Sequence, residues 1–120
     1  MPSAAVPSFD TVTIHCPDPA ALARFYGALL EWPVPEADGD YVALDPPAGG
    51  TAITFQRTAD FVARTWPDPA VQQMHLDLAV DDIDAAHERA VGLGARHLET
   101  KDKLRVYADP VGHLFCLCSW

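Results

Sequence analysis

The sequence predicts an α+β domain made of two copies of one strand–helix–strands unit, facing each other across a shared pocket. Three observations carry this. Period-two alternation at Thr11–Asp18 recurs at His75–Asp82, an offset of 64 positions. A helical segment behind an Asp follows each of these strands. Downstream, a strand ending in Asp-Pro and a hairpin return appear in the same order in both halves.

In the first strand, Val12, Ile14 and Cys16 alternate with Thr11, Thr13 and His15; in its counterpart, Leu76, Leu78 and Val80 alternate with His75, Asp77 and Ala79. Such alternation marks a strand with one buried face. Asp18 and Asp82 are placed to cap helices. The first helix is predicted over Pro19–Leu30, with Pro19 in the first turn, where its missing N–H costs nothing, and Leu22, Phe25, Tyr26 and Leu29 on one face. The second runs Ile83–Val91 and is stopped by Gly92 and Gly94. Val42–Pro46 then lies over Val106–Pro110. After a two-residue change in loop length, Gly50–Phe55 lies over Gly112–Leu117. The whole of residues 1–120 is one domain, with modules at 8–57 and 72–120 and a turn-rich linker at 58–71 containing Trp66-Pro67-Asp68-Pro69.

Apolar residues make up 49% of the chain, enough for a folded core. The net charge of −9 argues against nucleic acid, whose phosphates call for basic patches, and against an anionic membrane surface. No segment approaches the roughly 20 apolar residues of a membrane span. Met1–Val6 has neither a basic nor an apolar signal region, so a cytoplasmic protein is expected. Cys16, Cys116 and Cys118 are expected to be reduced; Cys116 and Cys118, two apart on a strand, point one way and read as core packing.

The motifs Asp18-Pro19 with Phe25-Tyr26, His75–Asp82, Gly92-Leu93-Gly94-Ala95 and Asp109-Pro110-Val111-Gly112-His113 together resemble the vicinal oxygen chelate superfamily. That superfamily contains glyoxalase I, bleomycin-resistance proteins, fosfomycin-resistance enzymes and extradiol dioxygenases. The similarity is greatest to the actinobacterial glyoxalase-like domain subgroup. The resemblance implies two βαβββ modules forming a curved mixed sheet around a central cavity, with the helices outside. Strand alternation then turns Thr11, Thr13, His15, Thr54, Gln56, His75, Asp77, Cys116 and Cys118 to the cavity.

Metal-dependent members take one ligand from the first and one from the last strand of each module. The matching positions are Thr11, Thr54, His75 and Cys116, of which only His75 is a ligand type the family uses. No metal or other cofactor is therefore expected. The alternative is a displaced zinc, nickel, manganese or iron site on His15, His75, Asp77 and Cys116. His15 lies about 13 Å along the strand from Thr11, so it cannot replace Thr11 without moving the ion.

His75 and Asp77 have two readings: a general base with its tuning carboxylate, making them the candidate catalytic pair, or polar neighbours that satisfy each other. His15 is open between ligand contact and exposure at the strand end. His87 and His97 read as solvated, and His113 as turn chemistry. Trp66 and Tyr107 are the aromatic candidates for ligand contact. The leading expectation is a metal-independent protein that binds or sequesters a small hydrophobic or aromatic molecule. Its candidate contacts are Thr11, Thr13, His15, Thr54, Gln56, Trp66, His75, Tyr107 and Cys116. The rivals are a metal-dependent lyase, isomerase or oxygenase, and a ligand-free structural protein. A homodimer is expected in line with the resemblance.

Overall fold

The computed structural model describes residue 5 and residues 9–63 and 74–119. The chain divides into two compact units, residues 1–59 and 60–120. In the first, β1 (Thr11–Cys16) leads to α1 (Pro19–Leu30), β2 (Tyr41–Leu44) and β3 (Ala52–Arg57). In the second, β4 (Leu76–Ala79) leads to α2 (Ile83–Gly92), β5 (Arg96–Thr100), β6 (Leu104–Ala108) and β7 (Leu114–Cys118). The sheets run β1-β3-β2 and β4-β7-β6-β5, each with one parallel pair and the rest antiparallel. This is the α+β class the sequence predicts. No helix among the described residues is long and apolar enough to cross a membrane.

Both helix starts are made as the sequence requires. Asp18 accepts from the Ala21 N–H at 3.2 Å, and Asp82 from the Ala85 N–H at 3.1 Å. α1 buries Leu22, Phe25 and Tyr26, and Tyr26 stacks on Phe55 of β3 with ring centroids 5.6 Å apart. In the second unit Tyr107 stacks on Phe115 at 5.3 Å, both fully buried. Each core thus centres on an aromatic of the last strand.

The duplication is visible in the strand register. Val12 pairs with Ile53 and Thr13 with Thr54; Leu76 pairs with Phe115 and Asp77 with Cys116, the same places in both units. The second hairpin corrects the sequence alignment. Leu44 pairs with Ile53, and Tyr107 pairs with Phe115, so Leu44 and Tyr107 are equivalent, where the alignment had placed Ala43 over Tyr107. The loops differ by one residue, not two.

The first unit has three strands where the second has four. Its segment at 32–40 holds Pro33 and Pro35, which cannot donate to a ladder, and it forms no strand. In the second unit the β5–β6 register shifts between His97 and Glu99, a bulge at Leu98. Leu98 packs with Leu104 onto the buried cluster of Val106, Cys116 and Cys118.

Candidate functional site

The face of the second unit's sheet that α2 leaves open carries the chemistry. Asp77 of β4 sits beside Cys116 of β7 as its register partner, and His75 lies one residue before β4 on the same side. The His75 Nε2 is 3.1 Å from Asp77 Oδ1, and both side chains are about half exposed, at 45% and 50%. One ligand atom each of His75, Asp77 and Cys116 lie within 4.8 Å of one another. The Cys118 thiol points at the same Asp77 oxygen, 3.8 Å away.

Burial pushes the Cys116 thiol up to about 11, and the neighbouring Asp77 carboxylate adds to the shift. Cys118 moves up for the same two reasons. Cys116 is therefore a protonated thiol at neutral pH and a poor nucleophile. The linkage has a definite sign. The unfolded chain ionises this thiol first, so the stability Cys116 contributes is intact below about pH 9 and falls as pH rises toward 11. Denaturant midpoints measured across that range should decline, and Cys116→Ala should flatten the decline.

Beside this group is a cleft of about 240 Å³, lined by His75, Glu99, Lys101, Leu104, Val106, Leu114 and Cys116. Its floor is aliphatic and its rim polar. A larger, more open hollow of about 610 Å³ lies in the first unit between α1 and residues 32–37. Arg24 and Glu36 are its ionisable lining residues, and among the described residues it holds no grouping like His75, Asp77 and Cys116, so the second unit's cleft is the better site.

The corresponding face of the first unit is chemically quiet. Thr11 Oγ1 donates to the Ala52 carbonyl at 3.0 Å, leaving Thr54 Oγ1 to donate to Thr11 Oγ1 at 2.7 Å. Each hydroxyl has one proton, and both are committed, the Thr11 proton to the Ala52 carbonyl and the Thr54 proton to Thr11. Thr54 is buried, Thr13 half-buried and Gln56 exposed. The His15 ring is exposed and its Nδ1 lies 2.7 Å from Thr58 Oγ1.

Sequence reasoning thus grouped His75, Asp77 and Cys116, which the structure brings together, but misplaced Tyr107. Tyr107 is fully buried on the α2 side of the sheet, opposite the cleft, with its hydroxyl 2.7 Å from His87 Nδ1. Burial raises the Tyr107 hydroxyl's pKa, and Arg105 opposes that shift. His87 is half-buried rather than solvated, whereas His97 is exposed as expected; their rings meet edge to face at 5.0 Å, and both pack against Tyr107. Lys101, Glu99 and Leu104 were missed, although the β5–β6 pairing that places them at the cleft follows from the hairpin at 101–103. Trp66 lies outside the described residues.

Two mixed sheets, each with one helix and matched first and last strands, define the glyoxalase-type architecture of the vicinal oxygen chelate superfamily. The chain belongs to the glyoxalase-like domain family, whose sequence profile matches residues 11–118. A search of curated proteins finds no match. Among solved structures, it is similar to a glyoxalase/bleomycin resistance protein/dioxygenase family enzyme from Burkholderia phytofirmans PsJN, with 17% identity, a TM-score of 0.71, and coverage of 91% of this chain and 95% of that one. A glyoxalase-related enzyme from Fulvimarina pelagi gives 19%, 0.70, and 96% and 89%. An Agrobacterium tumefaciens protein solved by NMR gives 16%, 0.73, and 96% and 98%. At these identities the likeness is one of fold.

The superfamily's metal centre does not fit this donor set. Thr11 and Thr54 are neutral hydroxyls already committed to each other and to Ala52. His75 and Cys116 alone fall short of the ligands such an ion needs.

Proposed function

We propose that this protein binds a small apolar or aromatic molecule in the second unit's cleft, without the superfamily's metal-centred chemistry, as a sequestering or resistance-type member. The carrying observation is the cleft itself: Leu104, Val106 and Leu114 offer an aliphatic bed, and His75, Lys101 and Glu99 stand at its edge as orienting groups. Its volume of about 240 Å³ is below the roughly 300–1,000 Å³ of drug-sized sites, which suits one ring with a short polar arm. The quiet Thr11–Thr54 pair supports binding over catalysis, because it supplies neither base nor ligand. Similarity of the Asp18-Pro19, Gly92–Ala95 and Asp109–His113 motifs supports placing the chain near the actinobacterial glyoxalase-like subgroup.

The test is calorimetry of the full chain, in the presence of a chelator, against a library of small aromatic and alicyclic compounds. At least one should bind with micromolar affinity, and Leu104→Gln should weaken it about tenfold, or ~1.4 kcal/mol. No binding across the library, or binding indifferent to Leu104, would remove the reading.

A further inference from the structure

We propose that His75, Asp77 and Cys116 form a three-ligand site for a thiophilic divalent cation of the zinc class, contained entirely within the second unit. It is a different set from the superfamily's, because it needs nothing from Thr11 or Thr54 and recruits Asp77 instead.

The donors fit such an ion. They are one imidazole nitrogen, one carboxylate oxygen and one sulfur, a mixture suited to zinc or cadmium and unsuited to magnesium, calcium or manganese, which favour oxygen. The spacing fits too. Bonds of about 2.0–2.3 Å place tetrahedral ligands about 3.3–3.8 Å apart. His75 and Asp77 are already 3.1 Å apart, and the whole group spans no more than 4.8 Å. The remaining adjustment falls on the right residues. Cys116 is 5% exposed on the central strand β7 and fixed, whereas the half-exposed His75 and Asp77 can turn toward it. On binding, the Cys116 S–H proton passes to the buffer and a metal–sulfur bond forms. No electron is transferred. Three protein ligands leave a fourth position for water, facing the cleft that His75 and Cys116 also line.

The experiment is titration of the reduced full chain with cadmium, zinc and manganese, each metal alone, followed by calorimetry and by the ultraviolet thiolate-to-cadmium charge-transfer band. One equivalent of cadmium or zinc per chain should bind, with that band, and manganese should bind far more weakly. Cys116→Ser should abolish the band. His75→Gln, on an exposed ring whose loss should leave the fold intact, should weaken zinc at least about a hundredfold, a ligand costing no less than an outer-shell partner. The double variant Thr11→Val, Thr54→Val should change neither affinity nor band. Absence of the band in wild type, its survival in Cys116→Ser, manganese binding equal to zinc, or loss of affinity in the double threonine variant would each overturn the proposal. The metal is the probe, so failure here leaves the small-molecule reading standing, and that reading is tested separately under chelation.

Discussion

Replacing Phe115 with alanine is expected to cost about 3–5 kcal/mol of stability. Phe115 is fully buried on β7, the strand that pairs with both β4 and β6. Its ring lies within 14° of parallel to that of Tyr107, and its register partners are Leu76 and Tyr107. Removing the ring deletes the surface on which two strands meet, and the backbone pairing on either side keeps the gap from collapsing. A fall in the denaturation midpoint of that size should be seen by circular dichroism. A loss below about 1 kcal/mol, the scale of a surface change, would show that the ring is not central to the core. Cys116 is the next residue, so the variant should also loosen the thiol's position against Asp77.

Asp109→Ala is expected to cost about 2–4 kcal/mol, the scale of leaving two partly buried amides without an acceptor. Asp109 is 4% exposed, and its Oδ1 accepts from the N–H of Val111 at 2.9 Å and of His113 at 3.0 Å. The backbone closes the same turn: the Asp109 N–H donates to the His113 carbonyl at 2.8 Å, and the Gly112 N–H to the Asp109 carbonyl at 3.0 Å. Gly112 takes a φ of 101°, a left-handed geometry suited to glycine. Faster amide exchange at Val111 and His113 would report the loss directly. Asp109→Asn keeps an acceptor oxygen and should restore most of the stability; equal damage from both variants would point to the charge instead.

The sequence was most readable where structure is local. The capping Asp18 and Asp82, the strand at Thr11–Cys16 and the turn at Asp109-Pro110 each depend on neighbours a few residues away. All take the form the pattern requires. The β6–β7 hairpin was less readable because Leu114–Cys118 is buried on both faces, which erases the two-residue period that fixes facing. Aligning Val42 with Val106 therefore looked sound, yet the true equivalence is Leu44 with Tyr107, and Tyr107 belongs under α2. The contact of His87 with Tyr107 spans 20 positions and follows no periodicity. Of the site, His75, Asp77 and Cys116 were legible because strand facing alone gathers them. Lys101 and Glu99 were not, because facing was read only along the first and last strands of each unit, whereas these two are placed by the hairpin pairing of Thr100 with Arg105 and Glu99 with Val106.

That bulge bears on the molecule's behaviour at high concentration. β5 ends the second unit's sheet, and an unbroken outer strand is a template on which further strands can stack without limit. At Leu98 the ladder slips, and that side chain turns into the core, flanked by the charged Arg96 and Glu99. A bulge of this kind adds local twist to the strand and works against a second chain pairing along this border. The irregularity next to Glu99 thus also disfavours fibrillar growth on this side of the second unit's sheet.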